Sequence, residues 1–205
     1  MDVSSLNKLL GNLDIYLLDQ ILKGRFTTNQ KILDAGCGEG RNTVYFIREG
    51  YQIFGVDHNP VAIQMARLQA KSLRSDYDIY RFQVSDVADM PLHKDAFDVI
   101  ISSAVLHFAT SHQHFLLMIK EMMRVLKSGG LFFLRMATAF GGISALSKPL
   151  GKGIYLLPDG SERFILTEEL FETIQKEFGL RNVEPPKSVL VHDQRSMGVF
   201  VMEKA

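Results

Sequence analysis

The stretch Ile32-Leu33-Asp34-Ala35-Gly36-Cys37-Gly38-Glu39-Gly40-Arg41-Asn42 does most to limit what this chain can become, because an apolar run passes directly into a turn with glycine at alternate positions. Such a run reads as a buried strand, and residues without Cβ atoms after it let the main chain bend sharply and let a ligand lie against bare backbone. Asp34 stands where the strand ends, so its carboxylate can hold the turn's amides or meet a ligand's ammonium group. A nucleotide-type cofactor is expected there.

The spacing of apolar residues extends this strand into an alternating series. Leu6, Leu9, Leu10, Leu13 and Leu17 predict one amphipathic helix before the turn, continuous through Gly11. Lys31 to Ala35 is the first strand, Arg41 to Arg48 a helix starting from the turn, and Gln52 to Val56 a second strand. Asn59 is placed to cap the next helix and Pro60 to open it, with the helix running to about Leu73. Ile79 to Val84 and Phe97 to Ser102 read as the third and fourth strands. Phe115, Met118, Ile119, Met122 and Leu126 mark a helix that Lys127-Ser128-Gly129-Gly130 stops, delivering a fifth strand at Leu131 to Met136. Strands alternating with helices imply right-handed crossovers and a parallel sheet covered on both faces.

The tail departs from that pattern. After a helix that follows Thr167, with Glu168 and Glu169 in its first turn and Leu170, Phe171, Ile174 and Phe178 along its face, the runs Ser188 to Val191 and Met197 to Met202 are separated by only His192 to Ser196, too short for a helical crossover, so they pair antiparallel. Between the fifth strand and that helix, Ala137 to Leu166 lacks a helical period, and Pro158-Asp159-Gly160 predicts a hairpin between Ile154–Leu157 and Arg163–Leu166. This segment is the expected lid.

Composition narrows the partners. Of 205 residues, 23 are basic and 23 acidic, so no overall field favours nucleic acid or an anionic membrane. A single cysteine excludes an internal disulfide framework, and no apolar run approaches the roughly 18 residues of a membrane span. With no signal-like start at Met1-Asp2-Val3, the chain is expected to be a soluble, cytoplasmic, single-domain protein. His107, His112 and His114 lack a convergent acid or cysteine, so no metal site is expected.

Two details separate the possible cofactors. A dinucleotide fingerprint requires a third glycine where this chain has Arg41, which disfavours an NAD-binding oxidoreductase. Asp57 suits ribose hydroxyls in either cofactor, whereas Ser85-Asp86-Val87 ends the third strand with a carboxylate for an adenine amino group and an amide for a ring nitrogen.

The ordered series LDAGCGEGRN, FGVDHNP, VSDVADMPL, FDVIISSAVLHF and RVLKSGGLFFLRM, spanning about residues 31 to 136, resembles the class I S-adenosylmethionine (AdoMet)-dependent methyltransferases. The GCGEGRN and VDHNP segments look most like the small tellurite-resistance and thiopurine methyltransferases. The resemblance implies an α/β fold: a Rossmann-like doubly wound seven-stranded sheet, mostly parallel with an antiparallel C-terminal hairpin strand. One domain would cover residues 1–205, with an N-terminal helical cap over 1–28 and an inserted lid or substrate segment over 137–166.

By the same resemblance, Asp34, Gly36 and Gly38 surround the methionine moiety, Arg41 reaches its carboxylate, and Cys37, a small packed side chain rather than a nucleophile, is counted with the cofactor-binding turn. Asp57 holds the ribose with His58 beside it, Asp86 and Val87 hold the adenine, and Ser102 and Ser103 line the floor near the sulfonium. His107 is the candidate general base, with no partner named, and Phe140, Tyr155 and Phe164 are the expected apolar wall for a small-molecule acceptor. Two other readings stay open: a non-catalytic AdoMet-binding accessory subunit, and a nucleic-acid methyltransferase, the latter weakened by the balanced charge.

Overall fold

Neighbouring residues of the apolar strands point to opposite faces, and two hydrophobic layers sandwich the sheet as a result. Ile32 packs in one layer with Phe46, Ile63, Val99 and Phe133, while Leu33 packs in the other with Ile100, Phe115, Ile119 and Phe132. The computed structural model describes residues 2–205. Its strands are β1 (Lys31–Ala35), β2 (Gln52–Asp57), β3 (Phe82–Val84), β4 (Phe97–Ser103) and β5 (Leu126–Ala137), then β6 (Lys148–Gly151), β7 (Ile154–Leu156) and β8 (Glu162–Phe164), then β9 (Leu180–Asn182), β10 (Lys187–Val191) and β11 (Arg195–Lys204). The helices are α1 (Val3–Leu10), α2 (Ile15–Leu22), α3 (Val44–Arg48), α4 (Pro60–Leu73), α5 (His112–Val125) and α6 (Glu168–Phe178).

The main sheet runs β10-β11-β5-β4-β1-β2-β3, with β11 antiparallel to both neighbours and the remaining pairings parallel. This is the expected seven-strand path. An eighth strand, β9, also pairs with β11, so β9 and β10 share one sheet edge on either side of Glu184-Pro185-Pro186. Proline has no amide for the ladder, and an edge strand is where that gap is tolerated.

Local chemistry explains where the elements differ from their sequence pattern. The single N-terminal helix is two, because Gly11 closes α1 at φ +63° and Asp14 caps α2, accepting from the Tyr16 amide at 2.9 Å. Helix α3 starts at Val44 rather than Arg41, since the Gly40 amide bonds the Cys37 carbonyl and both the amide and the hydroxyl of Thr43 bond the Gly40 carbonyl. Asp78 captures the Tyr80 amide and turns Ile79–Arg81 into a 3₁₀ turn, leaving only three residues for β3. Helix α5 ends at Val125, and Lys127 to Gly130 lie within an irregular stretch of β5, whose register against β4 passes from Phe97–Leu126 to Val99–Leu131.

Asn59 and Pro60 open α4 as expected, the Asn59 side chain accepting from the Val61 and Ala62 amides. The 158–160 turn does join a hairpin, β7–β8, and an unanticipated strand, β6, completes a separate three-stranded sheet. No helix among the described residues is long and apolar enough to cross a membrane.

Candidate active site

The strand order reverses beside β1: the chain moves from β1 to β2 on one side, and β4 occupies the other. Crossovers leave such a point in opposite directions and open a crevice at the carboxyl ends of the strands. A cleft of about 590 Å³ lies there. Gly36 comes from the turn after β1, Asp57 and His58 from the end of β2, and Asp86 and Val87 from the end of β3. Ala104, Val105 and Phe108 follow β4, and His114 and Met118 come from α5.

Asp34 is fully buried just before the turn, and its Oδ2 has no hydrogen-bond partner among the described residues. Burial pushes its carboxyl up to about 7, with the Arg41 charge opposing that and the Asp57 and Asp14 charges adding to it. Asp57 has a double task. Its Oδ2 accepts from the Gly38 amide and its Oδ1 from the Asn59 amide, both at 2.9 Å, tying the glycine turn to the end of β2. The His58 ring stands exposed at the cleft mouth with Nδ1 3.6 Å from Asp57. Asp86 accepts from the Ala88 amide at 2.8 Å and remains exposed, whereas Val87 is buried under the cleft.

Other expected residues have different surroundings. The Cys37 side chain is buried in the layer of Ile32 and Phe82, away from the cleft lining, and burial pushes its thiol far up. Ser102 is fully buried, its hydroxyl without a partner among the described residues. Ser103 donates to Asp14 at 2.9 Å and accepts from Arg41 at 3.3 Å, so Ser103 serves a polar strap that binds the start of α2 to the end of β4. Phe140, Tyr155 and Phe164 form no wall. Phe164 is fully buried and stacks on Phe115 at 4.8 Å, Phe140 packs edge-on against Phe171 and Phe200, and none of the three lines a cavity described here.

A second cavity of about 470 Å³ shares Ala104 with the first. Ala104 has φ +64°, an uncommon conformation for a residue with a Cβ, held by the hydrogen bond its amide donates to the Arg135 carbonyl at 2.8 Å. His107 lines this second cavity, with Nδ1 buried and without a partner among the described residues. Burial first, then the Arg163, Arg135 and Arg195 charges, lower its imidazole to about 4, so it is neutral at neutral pH. Those arginines were not singled out as site residues. Arg135 was the visible one, an arginine inside the apolar run Leu131–Met136, but Arg163 and Arg195 sit in turn-rich segments with no periodic signal. Among the described residues no group of three or more His, Cys, Asp or Glu is placed to hold a metal ion.

Comparison with known proteins agrees with this architecture. The family model described as "Methyltransferase domain" matches residues 33–134. An uncharacterized methyltransferase of Synechocystis sp. is 35% identical over 106 residues, covering 51% of this chain and 46% of that protein. The ubiquinone biosynthesis O-methyltransferase of Pelagibacter ubique is 28% identical, covering 72% of this chain and 60% of its own length. The crystal structure of a SAM-dependent methyltransferase of Methanosarcina mazei superposes with a TM-score of 0.70 at 21% identity, covering 90% of this chain and 96% of that one. This chain belongs to the class I AdoMet-dependent methyltransferases. It spans about half the length of the curated relatives it matches.

Proposed function

We propose that this protein transfers a methyl group from AdoMet to a small organic acceptor. The observation that carries the reading is the buried Asp34 Oδ2, without a partner among the described residues, just before the turn whose Gly36 lines a cleft together with Asp57 and Asp86 from successive strand ends. AdoMet presents donors in the same order: an ammonium, a ribose diol and an adenine amino group. In this reading Asp34, Gly36 and Gly38 hold the methionine end, with Arg41 near its carboxylate. Asp57 with His58 holds the ribose, and Asp86 with Val87 the adenine. When bound, AdoMet supplies a methyl group carried on a positively charged sulfur.

The chain's own share is to position the acceptor and exclude water, and orientation of that kind can lower a barrier by roughly 7 to 11 kcal/mol. The 137–166 segment fits the role of lid and acceptor wall, because Leu157, Asp159, Ser161 and Arg163 from it line the second cavity. The relative named for ubiquinone biosynthesis supports an organic small molecule as acceptor. His107 is a poor general base at a pKa of about 4, so an acceptor that needs proton removal would have to raise it.

Calorimetric titration tests the cofactor: AdoMet is expected to bind and NADH is not, and the reverse result would overturn the proposal. Asp57→Ala is expected to weaken AdoMet by about 1 to 3 kcal/mol, because it removes a charge-assisted acceptor and releases the Gly38 and Asn59 amides together. Asp57→Asn, which keeps one acceptor oxygen, should lose less. Affinity equal to wild type in the alanine variant would remove Asp57 from the site.

A further inference from the structure

The second cavity gathers more positive charge than its internal contacts use. Three arginines reach it from separate elements, Arg135 from β5, Arg163 from β8 and Arg195 from the start of β11. The acid in its lining is Asp159, which lies 3.4 Å from Arg195 and accepts from the Ser161 amide and hydroxyl at 2.9 and 2.6 Å. Arg135 is held by Asp14 at 3.2 Å and by the Tyr16 ring at 5.6 Å, and its Nε is buried without a partner among the described residues. Arg163 has no carboxylate partner among the described residues. Its guanidinium donates to the Glu162 carbonyl at 2.7 Å and lies 4.9 Å over the Phe108 ring.

Like charges drawn around one partly enclosed space repel each other unless something of opposite sign enters. Guanidinium forks match carboxylate, sulfonate and phosphate oxygens in pairs, which a point charge does not. We infer that the second cavity is an anion subsite for the methyl acceptor, a small organic molecule whose carboxylate, sulfonate or phosphate group is held by Arg163 and Arg195 with Arg135 at the base. The inference rests on the methyltransferase reading and adds the acceptor's charge to it. Leu157 and Met197 give the cavity an apolar side for the acceptor's body, and Ala104, common to both cavities, places the far end of such a molecule next to the cofactor cleft. Burial aside, the guanidinium charges are what hold His107 down, so an anion among them moves its imidazole back toward the ordinary histidine range.

The test uses the full chain saturated with S-adenosylhomocysteine, titrated calorimetrically with benzoate, benzenesulfonate, phenyl phosphate, inorganic phosphate, neutral benzamide and cationic benzylamine. At least one aromatic anion is expected to bind about 10-fold or more tightly than benzamide, with benzylamine weakest and affinity falling as salt rises. The order among the anions separates carboxylate from phosphate recognition, and inorganic phosphate alone reports whether the apolar body is needed. Arg163→Gln and Arg195→Gln should each weaken the preferred anion about 10-fold while S-adenosylhomocysteine binds as in wild type, since neither arginine lines the cofactor cleft. No preference for anions, or anion binding unchanged in both variants, would overturn the inference. Failure of S-adenosylhomocysteine to bind would instead strike the cofactor reading, and the anion titrations of the unliganded protein would then decide the subsite by themselves.

Discussion

Asp34→Asn is expected to make the cofactor-free protein more stable at pH 8, by about 1 to 3 kcal/mol, while weakening AdoMet by about 100-fold or more. Both effects come from one buried carboxyl without a partner. Its folded pKa of about 7 lies above the ordinary aspartate value of 3.8, so its contribution to stability is fully present below 3.8 and is lost as pH rises through 7. Above that point the folded wild type must keep an unpaired carboxylate out of water, and asparagine removes that charge at nearly the same volume.

His107 has the opposite sign. Its folded pKa of about 4 lies below 6.5, so its contribution is complete above 6.5 and declines as pH falls toward 4. The two slopes oppose each other between about 4 and 6.5, and the wild-type profile is flatter there than either group alone would make it. The stability difference between Asp34→Asn and wild type should therefore grow from pH 4 to pH 7 and level off above it, measured by denaturant melts. A cofactor ammonium would stabilise the ionised carboxylate, so AdoMet binding near pH 6 should release protons in wild type and not in the variant. Calorimetry in buffers of different ionisation enthalpy reads this directly. An Asp34→Asn protein that is no more stable at pH 8 and binds AdoMet as tightly as wild type would refute the assignment.

Gly36→Val and Gly38→Val should fail in different ways, although both glycines lie in the same turn with positive φ, +82° and +54°. A Cβ on Gly36 would press against Val105 Cγ2 and come within 2.6 Å of its Cγ1, so valine must displace a cleft-lining residue as well as adopt a left-handed backbone. A loss of about 3 kcal/mol or more is expected, combining the backbone strain with overpacking. Beyond its two chain neighbours, a Cβ on Gly38 meets no atom of the described residues within 4 Å. Strain alone should then cost about 1 to 2 kcal/mol, leaving a folded protein whose new side chain occupies the cofactor's approach. Thermal melts and AdoMet titration separate the two: Gly36→Val should melt early, and Gly38→Val should melt near wild type and bind AdoMet about 100-fold more weakly or not at all. A Gly38→Val variant with wild-type affinity would show that the cofactor does not lie against this backbone.

The parts of the fold that could be read along the chain are those governed by neighbours in sequence. The burial pattern of Lys31–Ala35, the Asn59-Pro60 opening of α4, the 158–160 turn and the short connection between β10 and β11 each state their local geometry in residue types. Where such signals compete within a few residues the apolar pattern misleads. Leucine spacing ran through Gly11, and the strand pattern ran through Ile79-Tyr80-Arg81, yet a glycine with positive φ and the Asp78 capping carboxylate prevailed in the two cases. Satisfying backbone amides outweighs keeping a pattern unbroken.

The lining of the cleft was equally legible, because a strand end and the turn after it are contiguous: Gly36, Asp57, His58, Asp86 and Val87 line it and all lie at or just past strand ends. By itself, then, the order of residues determined the doubly wound sheet and the place of its cleft, since periodicity and turn chemistry act over a few positions. Only the tertiary structure decided that Phe164 belongs to the core, that Asp14 straps α2 to the end of β4, and that Arg135, Arg163 and Arg195 surround one cavity. Those residues meet through sheet order and the folding back of the β6–β8 segment, and convergence across that much chain leaves no mark in any local stretch of sequence.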